Sequence, residues 1–198
     1  MALTDQLDLP LVDGLTLPPP VRALLSPGLM IRSRDGESHR LPRFFYQIDS
    51  PSAAGLRLTP HFAVSEFMEV DLHEALPLRD FPRYVPCGVT ALASALQVLR
   101  NEIGAPIRIA ANGGYRSPSH SGSSRGSPHS WATAANIYRI GPDWLDSADR
   151  IERYAAIARR VLPFAWIRPF GHDVGFADDH LHIEVGYLTA VPRGVAEE

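Results

Sequence analysis

The sequence predicts an α+β fold: a mainly antiparallel sheet with flanking helices. Two stretches, 88–103 and 147–162, carry apolar residues at helical spacing. Several short segments, among them 107–110, 134–140 and 180–187, alternate or run apolar as strands do. Gly and Pro separate these segments, as in the Gly104-Ala105-Pro106 and Gly141-Pro142 turns. Strands gathered around two helices make an α+β domain.

Residues 1–58 form a zone of their own. Pro10, Pro18-Pro19-Pro20 and Ser26-Pro27-Gly28 interrupt it too often for long helices. One short strand is expected over Arg43–Ile48, and the zone reads as a Pro-rich arm wrapping the domain, or as a linker. The globular part is expected to span 59–190, with 191–198 a C-terminal tail. Ser65 stands where an N-cap would start a short helical turn in Ala63-Val64-Ser65-Glu66-Phe67. In the first long helix Val89, Leu92, Leu96, Leu99 and Ile103 form a single stripe. Gly104 fits a left-handed C-terminal residue, and Pro106 blocks continuation. The second helix aligns Ile151, Tyr154, Ala158 and Val161. Two more short strands are expected at 166–168 and 174–176.

Composition describes an ordinary globular chain: 198 residues, 45% hydrophobic and 21% charged. A net charge of −3 gives no basic face for nucleic acid, although all 19 basic residues are arginine. The single cysteine, Cys87, excludes an internal disulfide and a cysteine-based zinc cluster, and it has no base beside it. The first residues lack the basic region and apolar core of a secretory signal. No apolar run approaches the ~20 residues of a membrane span. The expected location is therefore cytoplasmic, with any action outside the membrane reached through lysis or non-classical export.

Two polar stretches stand out. Residues 112–136 form a long connection rich in Gly, Ser and Pro that also carries Tyr115, Arg116, His129 and Trp131. A loop of that length in a compact domain is functional or disordered, and these four residues favour function. Downstream lies Asp178-Asp179-His180-Leu181-His182-Ile183-Glu184. Strand alternation puts His180, His182 and Glu184 on one face and Leu181, Ile183 and Val185 on the other. Asp179, at the strand entrance, can reach the polar face if the chain curls there. With His129 added, the imidazoles suggest a metal, since a catalytic zinc takes three protein ligands plus a water.

The order Gly-Tyr-Arg-Ser-Pro (114–118), Ser127-Pro128-His129, then Asp179-His180-Leu181-His182 resembles the zinc D-alanyl-D-alanine carboxypeptidase family, whose fold is shared with the hedgehog signalling domain. The resemblance runs from about His61 to Tyr187. It implies a hedgehog/D-Ala-D-Ala peptidase-like fold and a zinc cofactor held by His129 and His182. It further implies Asp179 as general base, Arg116 as a group stabilising the oxyanion or holding substrate, and Ser127 and Tyr115 as substrate-binding residues. The middle ligand of that family is an aspartate seven residues after the first histidine; here the position is Asn136. The glycine common at 132 is Ala132. An amide oxygen brings no charge to a cation, so Asn136 should hold zinc more weakly than an aspartate.

The expected partner is a peptidoglycan-derived peptide, and the expected activity is that of a zinc metallopeptidase of D,D- or L,D-carboxypeptidase or endopeptidase type. The alternatives are a catalytically degenerate relative that binds wall fragments or a protein partner, and a structural or accessory protein of a phage particle.

Overall fold

The computed structural model describes residues 9–33, 36–124, 126–172 and 178–189. The strand expected at 174–176 and the tail at 191–198 lie outside the described residues. The chain begins with β1 (Leu11–Asp13), the short helix α1 (Pro19–Leu25) and a hairpin of β2 (Met30–Arg32) and β3 (Ser38–Arg40). β4 (Phe44–Ile48), the single turn α2 (Pro51–Ala54) and a second hairpin, β5 (Arg57–Thr59) and β6 (Phe62–Ala63), follow. Next come β7 (Arg83–Pro86), the long helix α3 (Val89–Ile103) and β8 (Ile107–Ile109). After the long loop, β9 (Ala134–Ile140) turns into β10 (Asp143–Trp144). Helix α4 (Ala148–Val161), β11 (Trp166–Ile167) and β12 (Leu181–Glu184) complete the set.

Every strand pairing among the described residues is antiparallel. The fold is therefore mixed α and β with mainly antiparallel sheets. The larger sheet centres on β9, which pairs with β8, β10 and β12, while β11 extends it beyond β12. The stripe on α3 is buried as its spacing predicts: Val89, Leu92, Leu96 and Leu99 are all inaccessible. Gly104 adopts the left-handed conformation (φ +70°) and its N–H closes on the Arg100 carbonyl. Ile151, Tyr154, Ala155 and Ala158 of α4 reach the same core, with Ile137 and Ile140 of β9 and Leu181 and Ile183 of β12. Gly186, also left-handed (φ +86°), ends the last strand sooner than its sequence pattern suggests.

The first fifty described residues are no detached arm. β1 and β4 join β7 in a three-stranded sheet, and Leu9, Leu17, Leu25, Phe45 and Ile48 share the core with α3. Asp13 and Arg43 meet in a fork, the Arg43 Nε and guanidinium donating to both carboxylate oxygens at 2.8–3.1 Å, and this pins β1 to the start of β4. The prolines that argued against long helices are real interruptions, yet the pieces between them are short strands and turns with buried apolar residues. The expected Ser65 cap is displaced as well. The 3-10 turn starts at Val64, and the Ala63 N–H donates to Glu66 Oε1 at 3.0 Å. No helix among the described residues is long and apolar enough to cross a membrane.

Candidate functional site

The loop after β8 is held by backbone proximity and a buried carboxylate. Gly114 lies so close to Phe67 that a Cβ there would sit 2.3 Å from the Phe67 carbonyl oxygen. Glu74, buried at 3% exposure, accepts from the Ser117 N–H (3.0 Å), the Ser117 hydroxyl (2.6 Å) and the Ala75 N–H (2.9 Å). These contacts fix the backbone on both sides of Tyr115 and Arg116 and send the two side chains apart. Arg116 lines a cleft of about 930 Å³, whereas Tyr115 points away into a separate cavity of about 10 Å³ beside Glu74 and Arg83. Tyr115, expected to bind substrate, thus lies outside the lining of the cleft that Arg116 lines: adjacent residues on an extended segment face opposite ways.

A 3-10 turn, Pro128–Trp131, carries His129 into the cleft. Its Nδ1 lies 2.7 Å from the Gly114 carbonyl oxygen, so that nitrogen donates and Nε2 carries the lone pair. Burial, with Arg116 and His182 nearby, holds the His129 pKa well below its ordinary value, so the ring is neutral. Trp131 anchors the turn from behind. It is wholly inaccessible, its indole N–H donates to the Arg40 carbonyl at 2.9 Å, and Ile31, Leu41 and Tyr187 pack around it. Ala132 is left-handed (φ +55°), which is why a glycine is expected there from the resemblance. A left-handed alanine costs about 1–2 kcal/mol. Glycine would give up a buried methyl worth about 0.8 kcal/mol and add up to about 1 kcal/mol of backbone entropy loss. Ala132→Gly should therefore change stability by less than about 1 kcal/mol in a denaturant titration.

The other half of the site is built by β9 and β12. Asn136 and His182 are direct cross-strand partners, and Asn136 Oδ1 lies 2.8 Å from His182 Nδ1. The His129 and His182 rings stand edge to face, 5.4 Å apart. His182 Nε2 lies 3.2 Å from Glu184 Oε2, and Trp166 packs edge-on to the same ring. His180, His182 and Glu184 all line the cleft while Leu181 and Ile183 are buried, as strand alternation requires. Among the described residues no three His, Cys, Asp or Glu side chains are grouped to hold a metal. The three donors that meet here are two imidazoles and the Asn136 amide oxygen. That set fits a divalent cation in donor type and number, with a backbone-oriented imidazole, but it carries no negative charge.

Asp179 does not join them. Its side chain is 68% exposed and its Oδ1 lies 2.7 Å from His180 Nδ1. Asp179, expected as general base, is not among the residues that line the cleft; among the described lining residues the carboxylate is that of Glu184. The opposite nitrogen of His180, Nε2, lies 2.9 Å from an Arg168 terminal nitrogen, which donates to it. Ser127 lines the cleft together with Arg116 and His129. Arg168, Trp166 and Tyr187 also line it and were not singled out from the sequence. The signal for the first two was present: with Ile167 buried, alternation puts 166 and 168 on the opposite face. Cys87 is buried, and burial pushes its thiol up to about 12, so it is inert.

No protein-family model matches the chain, and no curated protein or solved structure matches it either.

Proposed function

We propose that the cleft belongs to a zinc-dependent peptidase-like domain acting on peptidoglycan stem peptides, of D,D- or L,D-carboxypeptidase or endopeptidase type. The observation that supports this reading is convergence. His129 and Asn136 at the two ends of one segment, and His182 from a distant strand, meet in one cleft with Arg116 and Ser127 along the same wall.

In this reading His129 Nε2, His182 Nδ1 and the Asn136 oxygen would hold the ion. Bound zinc supplies positive charge that polarises a peptide carbonyl and lowers the pKa of water to about 7. The chain's own groups do the rest. The Gly114 carbonyl fixes the His129 tautomer. Arg116, a permanent cation beside His129, faces the negative charge that grows on the scissile carbonyl oxygen. Ser127 offers a hydroxyl to a terminal carboxylate. Glu184 accepts the proton of the attacking water and passes it to the leaving amine. Asp179 acts at one remove, by orienting His180.

Glu184→Gln should cut hydrolysis of a stem peptide by about a hundredfold or more with zinc content unchanged. Asp179→Asn should cost far less. A dead Asp179→Asn beside an active Glu184→Gln would return the proton transfer to Asp179 and overturn the assignment. Asn136→Asp should tighten zinc binding about tenfold or more, measured by competition with a chelating dye, because it adds a charged ligand. A second reading rests on the same residue. The uncharged Asn136 favours a degenerate relative that binds wall fragments without turnover, and a purified protein that neither contains nor takes up zinc would select it.

A further inference from the structure

We infer that His120, a histidine outside the cleft lining, is a positioning residue for Arg116, acting through Asn112. The consequence for peptide binding rests on the peptidase-like reading of the cleft; the link between the three residues does not. His120 is only 5% exposed, and its ring joins two parts of the long loop. The Gly122 N–H donates to His120 Nδ1 at 3.2 Å, so in the neutral ring the proton sits on Nε2. Nε2 lies 3.3 Å from Asn112 Oδ1 and donates to it. The Asp71 N–H donates to the same oxygen at 3.1 Å, which fixes the amide with its oxygen towards the histidine. Asn112 is left-handed (φ +55°), and its own N–H is held by the Glu69 carbonyl at 2.8 Å. Its carbonyl in turn accepts from Arg116 Nε. With Nε committed to Asn112, the terminal nitrogens are the pair of donors that Arg116 can present to the cleft.

The same ring supports the cleft wall at Gly122. A Cβ there would stand 3.2 Å from His120 Cε1, and Gly122 lines the cleft. Protonation would break the arrangement at one atom: a proton on Nδ1 faces the Gly122 N–H, donor against donor, and one of the two must move. The charged and titratable groups around the ring are Asp71, His73, Glu74 and Arg116. Asp71 Oδ1 lies 3.9 Å from Nε2, and the His73 ring stands 5.9 Å away, centre to centre. Burial holds the His120 pKa below its ordinary value; Arg116 and His73 act in the same direction, while Glu74 and Asp71 oppose them. The ring is therefore neutral at pH 7, and Arg116 loses its support only as the pH falls below the ordinary histidine range.

Nuclear magnetic resonance of the protein without ligand reads the link directly. The His120 ring nitrogens report the tautomer and its titration, and the Arg116 Nε–H reports the guanidinium. In the wild type the two should change together on acidification, with one midpoint below about 6.5. His120→Phe should speed exchange of the Arg116 Nε–H about tenfold at pH 7. His120→Gln, whose amide can accept from Gly122 and donate to Asn112, should keep the slow exchange and abolish the pH response. Calorimetric binding of L-Ala-γ-D-Glu-L-Lys-D-Ala-D-Ala to the zinc-supplemented protein supplies a double-mutant cycle. His120→Phe should weaken binding about tenfold in the wild type and less than about twofold in Arg116→Gln. An Arg116 signal indifferent to the His120 titration, or equal losses of affinity in both backgrounds, would overturn the inference. A wild type that binds no peptide would overturn the peptidase-like reading instead, and the resonance measurements would still decide the link.

Discussion

Trp131→Ala should lower folding stability by about 3–5 kcal/mol, the usual range for truncating a buried aromatic side chain. For a chain of this length that corresponds to a fall in Tm of about 6–20 °C, readable by calorimetry or circular dichroism. The indole is inaccessible and fills the space between the β2–β3 hairpin and Tyr187, where it meets the Tyr187 ring edge-on at 4.8 Å. Its N–H also satisfies the Arg40 carbonyl, so the alanine variant leaves both a cavity and an unpaired acceptor. Phenylalanine should restore much of the packing but not that hydrogen bond, and should fall between the two. His129 lies on the same turn as Trp131, so the alanine variant should also bind zinc more weakly. A stability loss below about 1 kcal/mol would mean that the hairpin does not depend on the indole.

Glu74→Ala should cost about 3–5 kcal/mol, because it removes a buried anion and strands its partners. Three groups donate to the Glu74 carboxylate, and two of them, the Ala75 and Ser117 N–H groups, cannot accept in exchange. Arg83 would lose the negative charge that offsets its own burial. Glu74→Gln is the sharper probe. A backbone N–H donates to each carboxylate oxygen, so the amide nitrogen must face one of the two, and a loss of about 1–3 kcal/mol is expected despite near-identical shape. Denaturant midpoints of the two variants give the comparison, and equal stability of Glu74→Gln and the wild type would show that charge and acceptor count at 74 are unimportant.

Trp131 stood out in the sequence as a mark of an ordered loop but not as a packing anchor, and Glu74 did not stand out at all; the reason is physical. Glu74 follows His73 in a segment with no apolar period, and its value comes from burial by chain that lies more than forty residues away. The helices α3 and α4 were legible because one face of each is buried along its whole length, and burial at period 3.6 leaves a written trace. The polar face of β12 was legible for the same reason at period two. In the Pro-rich start only the strand at 43–48 was legible, because short strands and single turns leave too few repeats to show any period. Asp179 illustrates the limit of motif spacing: it is three residues before His182 along the chain, but it lies ahead of β12, exposed and outside the lining of the cleft. Tyr115, beside Arg116, likewise lies outside that lining. His129, Asn136 and His182 come together because β9 and β12 pair in the register that sets 136 opposite 182.

The covering of Trp131 bears on how such a chain is made. The Arg40–Trp131 hydrogen bond joins residues 91 positions apart, and Tyr187, whose hydroxyl donates to the Gly126 carbonyl, comes from nearly the last described segment. Closing long intervals is cheap in free energy, rising by only about 0.6 kcal/mol for each doubling of length. It is slow in time, since distant contacts hold back folding rates. During synthesis the β2–β3 hairpin leaves the ribosome with its apolar side uncovered, well before Trp131 and Tyr187, the residues that seal it. The cleft is therefore completed only once Tyr187 has emerged, and a nascent chain halted before it would hold its two histidines in an unfinished wall.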